Sequence, residues 1–319
     1  MPTVNDPFLP VVRIGDIPRQ PDQTQRWLVA QLWGDSSVGV IGGAPKCAKT
    51  WLGLDLALSV ATGTPCLDTF AVPRPGPVLV YLAEDALPIV RERVAGMARH
   101  RRLELAAVDI HVITAPTLLL DREPQRSRLF ETARRLRPRL LLLDPLVRLH
   151  TIDENHASEV AALLAYFRSL QRQLDLSVIL VHHTRKNVAA GVAAGQGLRG
   201  SGDIHAFGDS NLYLRRSSDH LLLACEHRAA PAMPPVALQL VDTDAQSTHL
   251  EVVADPLPNQ PRRHLHDQIL ELLTPGVVLT RGKLRDALGV KNERLGEALE
   301  TLERVGQLHR TATGWRRSD

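Results

Sequence analysis

Residues 38–59, VGVIGGAPKCAKTWLGLDLALS, constrain the fold of this chain more than any other stretch. They read as a short apolar strand (38–41), a loop (42–48) and a helix that begins near Lys49 and carries Leu52, Leu54, Leu56 and Leu58. Within the stretch, Gly43, Ala44, Pro45, Lys46, Cys47, Ala48, Lys49 and Thr50 keep the spacing GxxxxGK[ST], and Trp51 follows. A loop of this type turns successive backbone N–H groups inward beneath the positive end of the new helix, which makes a concave seat for anionic phosphates. Lys49 is then expected to meet the β and γ phosphates, and Thr50 to offer its hydroxyl to Mg²⁺. Ala48 stands where the pattern has glycine; its β-carbon is expected to require a negative φ or a reshaped loop.

The chain has 319 residues, room for one large α/β domain and something small. Apolar residues make up 44% and aromatics 4%, an ordinary globular composition with few rings. A formal charge of +3 permits nucleic-acid binding without arguing for it. Cys47, Cys66 and Cys225 are odd in number and widely spread, which fits a reducing cytosol and no disulfide framework. No cluster has zinc spacing. The N-terminus lacks a basic start followed by an apolar core, and no apolar run reaches the roughly 18 residues of a membrane helix, so a soluble cytoplasmic protein is expected.

Residues 1–24 are rich in Pro, Asp and Gln and read as a loose lead-in, after which Trp27 and Trp33 are read as packing residues rather than partners of a nucleotide base. Strand and helix then alternate. Apolar strands over 77–83, 110–114, 139–144 and 177–181 are interleaved with helices over 87–102, 124–137 and 157–174. That rhythm specifies a doubly wound, mostly parallel sheet, which binds ligands at the C-terminal strand ends. Beyond residue 210, short apolar runs read as hairpins extending the sheet at one edge. A proline-rich linker (254–262) leads to residues 263–319, where three short helices and a two-stranded wing suggest a winged helix-turn-helix.

Acidic and imidazole groups end these strands. Asp144, after four leucines, is the expected carboxylate beside Mg²⁺. Glu84 is placed to activate a water, with Asp85 as the alternative. His183 is set to contact the terminal phosphate, unless alternation points His182 inward instead. Residues 184–202 form a long, small-residue-rich basic stretch, read either as a nucleotide-gated DNA-contacting loop or as a lid.

The segments GGAPKCAKTWL, VLVYLAEDA, LLLLDPLVRLHTIDEN, VILVHHTRKN and GLRGSGDIHAFGDSNLYLRR, in that order, resemble the RecA-like P-loop ATPases, and within them the RepA-like, DnaB-related hexameric replicative helicases. The likeness spans residues 25–253. It implies ATP and Mg²⁺ bound at the boundary between subunits of a homo-oligomer, a hexameric ring with single-stranded DNA in its channel. It also implies an arginine from the neighbouring subunit: Arg228 is the first choice here, followed by Arg199 and Arg215, while Asp209 stands where the plasmid helicases carry theirs. The C-terminal unit lies outside the minimal family ATPase. Lys291, Arg294 and Arg304 on its third helix and Arg310, Arg316 and Arg317 on its wing suit phosphate contacts, whereas Glu293, Glu297, Glu300 and Glu303 oppose them, so duplex DNA and a protein partner both stand as readings.

Overall fold

The computed structural model describes residues 11–17, 26–154, 156–183, 202–217, 220–243, 247–253, 265–274, 277–288, 290, 292–311 and 313–318. The chain divides into two compact units, residues 1–253 and 254–319.

The first unit opens on a small antiparallel pair, β1 (Trp27–Val29) and β2 (Trp33–Gly34). The main chain of the fold then runs β3 (Val38–Gly43), α1 (Lys49–Thr62), β4 (Val78–Leu82), α2 (Leu87–His100), β5 (Ile110–Val112), α3 (Gln125–Leu136), β6 (Leu140–Asp144), α4 (Ala157–Leu174), β7 (Ser177–His183) and α5 (Gly202–Phe207). It finishes with β8 (Ser210–Ser217), β9 (His220–His227), β10 (Val236–Asp242) and β11 (Thr248–Val252). One nine-stranded sheet has the order β11-β10-β9-β8-β3-β7-β6-β4-β5. The six strands from β8 to β5 are parallel neighbours, and β9, β10 and β11 extend the β8 edge antiparallel, as the hairpin reading expects.

Alternation along each strand decides which side its residues cover. Val78, Val80 and Leu82 of β4, Leu140 and Leu142 of β6, Ile179 and Val181 of β7, and Leu212 and Leu214 of β8 enter one core with α1 and α2. The intervening Leu79, Tyr81, Leu141, Leu143, Val178, Leu180 and Tyr213 enter the opposite core with α3 and α4. Strands apolar on both faces are what a helix-covered parallel sheet demands, and the result is a three-layer α/β/α unit. Trp33 is fully buried in the first core and Trp27 lies edge-on to His227, with ring centroids 5.1 Å apart, both in packing positions.

Strand β7 continues to His183, past the expected end at residue 181, because its ladder with β3 runs on to the pair Gly43 and His183. A β-carbon on Gly43 would stand 2.5 Å from the Leu214 carbonyl oxygen, so glycine is what lets β8 approach the end of β3. No described helix is long and apolar enough to cross a membrane.

In the second unit, α6 (Leu265–Leu272), α7 (Arg281–Leu288) and α8 (Asn292–Arg304) enclose a core of Ile269, Leu273, Leu284, Leu295, Leu299, Leu302 and Leu308. Thr280 begins α7, its hydroxyl accepting the Lys283 N–H at 3.2 Å. The hairpin β13 (Leu308–Thr311) and β14 (Gly314–Arg317) is joined by a third strand, β12 (Val278–Leu279), which two residues of sequence are too short to announce.

Candidate nucleotide site

Helix α1 begins at Lys49 directly after the loop, and its first residues carry the chemistry. Lys49 is only 5% exposed and its Nζ donates to the Ala44 carbonyl at 2.8 Å. Burial pulls its pKa down, while Cys47, Asp144 and Glu84 pull it back up. Ala48 keeps the left-handed conformation of the glycine it replaces, with φ 57° and ψ 25°, and Lys46 is left-handed as well at φ 62°. The expectation of a negative φ or a reshaped loop is therefore corrected: the loop holds its shape and the alanine takes the strain, about 1–2 kcal/mol for a residue with a β-carbon.

The Thr50 hydroxyl donates to Asp144 Oδ2 at 2.7 Å. Asp144 shares the strand parity of Leu140 and Leu142, and so faces α1. It is 7% exposed, and burial raises its pKa to about 6 against the opposing pull of Thr50 and Lys49. A hydroxyl and a buried carboxylate beside a lysine form a hard-oxygen donor set, and this suits Mg²⁺ accompanied by phosphate. Burial disfavours the charged form of Asp144, and a nearby cation would offset that cost.

Glu84, two residues beyond Leu82 on the same parity, stands at the mouth of the same cleft, where the Arg148 Nε donates to its Oε1 at 2.8 Å. Asp85 also lines the cleft but is tied to Arg93 at 2.6 Å, and the Arg93 guanidinium lies 5.3 Å from the centre of the Trp51 ring. His183 follows the parity of Ile179 and Val181 into the cleft, whereas His182 is buried on the other side, 3.9 Å from Glu154. The cleft has a volume of about 530 Å³ and also takes in Lys46, Cys47 and Ala48 from the loop and Arg216 from β8. Gly43, Ala44 and Pro45 form the entry to the loop rather than the wall of the cleft.

Arg228 sits elsewhere. It follows β9 at the end of the sheet where β3 begins, its backbone N–H bonded to Asp209 and its guanidinium to the Ala206 carbonyl at 2.7 Å. Asp209 there receives Arg168 as well as the Val38 N–H at 3.2 Å, so it anchors that end of the sheet. Within this chain, then, Arg228 lies by the start of β3, remote from the phosphate loop that follows its end. Arg215 has the parity of Tyr213 and turns to the other face; its neighbour Arg216, absent from the sequence-based choice, is the one in the cleft. Arg199 and the stretch 184–201 lie outside the described residues, as do Lys291 and the side chains of Glu293, Arg294 and Glu297.

A lysine-bearing loop between a buried parallel strand and a helix, with a threonine and a strand-end aspartate behind it, defines the class of P-loop ATPases. Over residues 6–189, more than half its length, the chain matches the family described as AAA domain, and it belongs to that family. Among solved structures it is similar to the RadB recombinase, at 14% identity over 69% of this chain and 92% of that one, with a TM-score of 0.49.

Proposed function

We propose that the protein is a RecA-like motor that hydrolyses ATP with Mg²⁺ and works as a ring-forming helicase or translocase on single-stranded DNA. The observation that carries this reading is the convergence of Lys49 and Thr50 of α1, Asp144 of β6, Glu84 after β4 and His183 of β7 on one cleft at the C-terminal ends of parallel strands. Bound Mg²⁺ supplies charge neutralisation along the phosphate chain. The residues of this chain do the rest. Backbone N–H groups of the loop and the Lys49 ammonium hold the phosphates, Thr50 and Asp144 supply oxygen ligands, and the Glu84 carboxylate accepts a proton from the attacking water once it leaves Arg148. His183, at the tip of β7, touches the terminal phosphate and heads directly into residues 184–201, which would carry that contact to DNA.

The C-terminal unit, three helices with a three-stranded sheet, fits a winged helix that adds duplex DNA or a protein partner. A nucleotide-switched assembly protein is the second reading. It is favoured by the place of Arg228, which is held by Ala206 and Asp209 instead of standing free for a neighbouring site.

The two are separated by measuring ATP turnover with and without single-stranded DNA, alongside mass by light scattering with and without nucleotide. The motor reading expects severalfold stimulation that fades as salt rises, and a ring in the presence of ATP. Slow turnover indifferent to DNA overturns it. In the same assay Lys49→Ala is expected to abolish tight ATP binding, and retained binding would remove Lys49 from the site.

A further inference from the structure

We infer that Arg216 is a phosphate-binding residue of this chain's own nucleotide site, holding the polyphosphate from the β8 side while Lys49 holds it from the α1 side. The inference rests on the nucleotide reading of the cleft and adds to it a contact made within one subunit.

The backbone fixes where Arg216 points. Strand β8 pairs in parallel with β3 in the register Ile41 with Leu212 and Gly43 with Leu214. Leu212 and Leu214 pack into the core beneath α1, so two residues further on the same parity brings Arg216 out beside the loop, just past the last glycine of β3. Its Nη2 donates to the Lys46 carbonyl at 3.2 Å, on the outer lip of the loop. The guanidinium has five N–H donors in a planar fork, and this bond uses one of them.

Charge accounting separates Arg216 from the other arginines near the cleft. Arg93 is paired with Asp85, and Arg148 with Glu84. Among the described residues no carboxylate pairs with Arg216; the Lys46 carbonyl is its partner. A cation left without a counter-charge at the rim of an anion seat, on a side chain whose fork matches phosphate oxygens two at a time, is suited to close on that anion. The residue is solvent-exposed, so it can swing between the lip and the phosphate chain at little cost. This also changes what a neighbouring subunit must provide, since one positive charge beyond Lys49 is already present within the subunit.

The bland reading is that Arg216 merely braces the left-handed turn at Lys46 through that one hydrogen bond. Arg216→Gln and Arg216→Ala in the full-length protein, with Arg216→Lys as the variant that keeps the charge, tell the two apart: glutamine removes the charge and leaves an N–H donor on a shorter side chain, whereas lysine keeps the charge without the fork. Affinity for a fluorescent ATP analogue with Mg²⁺ would be measured for wild type and both variants at several salt concentrations, with the melting temperature as a check on folding. Both variants are expected to lose about ten- to a hundredfold in affinity, the span of one charge-assisted phosphate contact, with a shallower salt dependence and an unchanged melting temperature. Arg216→Lys is expected to recover part of the loss. The inference is overturned if Arg216→Gln binds as wild type does, whether or not Arg216→Ala is impaired, or if weakened binding comes with a lowered melting temperature in both variants. Wild type that binds no ATP would instead bring down the nucleotide reading itself, and this inference with it.

Discussion

Ala48 is the residue with the least room for conformational comfort, since its β-carbon is carried at φ 57° in a region that favours glycine. Ala48→Gly removes a cost of about 1–2 kcal/mol and adds back about 0.5–1 kcal/mol of unfolded-chain entropy. A net gain near 0.5 kcal/mol is expected, read as a higher urea midpoint at unchanged slope. Asp144 stores a different cost. Its folded pKa of about 6 lies above the ordinary carboxylate value of 3.8, so the folded protein binds this proton more tightly than the unfolded chain does. Stability from this group is therefore full below about pH 4 and is lost as pH rises toward 6, leaving the whole penalty in force at pH 7.5. Asp144→Asn, which still accepts from Thr50, is expected to stabilise the nucleotide-free protein by on the order of 2 kcal/mol at pH 7.5 and by little at pH 4, while Mg²⁺-dependent turnover collapses. Thermal melts at the two pH values check the sign. An equal gain at both would show that burial of charge is not the cause.

At the level of elements, the turn after β6 governs Glu84. Residues Leu146–Arg148 form a single 3-10 turn that carries Arg148 back over the tip of β4, where it meets Glu84. Both side chains are about half exposed, so the pair is worth at most about 1 kcal/mol and is easily opened. Arg148→Ala is expected to raise the single-turnover hydrolysis rate by up to about fivefold with ATP affinity unchanged; a fall in rate would make Arg148 a contributor to turnover instead of a restraint. The same scale explains what the sequence discloses. The runs VLVYL and LLLLD declare buried strands because both of their faces are apolar, and strand parity alone selects Glu84, His183 and Asp144 for the α1 side. Parity also selects Arg216 over Arg215 for the cleft, a signal present in LYLRR. What stays hidden is long-range. Nothing local in Glu84 announces Arg148, and β12 becomes a strand only because β14 lies beside it.

For the whole molecule, the two units carry separate cores, one around the nine-stranded sheet and one around Leu284, Leu299 and Leu308. The described residues that line the cleft all belong to the first unit. A chain ending at residue 253 is therefore expected to bind ATP within about twofold of the full protein by titration, and a larger loss would mean that the C-terminal unit takes part in the site. The order of the sheet has one more outcome. The groups of the cleft stand on neighbouring strands, Arg216 on β8, the loop after β3, His183 on β7, Asp144 on β6 and Glu84 after β4. At about 4.8 Å per strand that row is roughly 19 Å long, comparable with an extended nucleotide. A ligand lying along it acts as a splint across five rungs, so amide protons at the middle of the sheet should exchange most slowly when the row is filled.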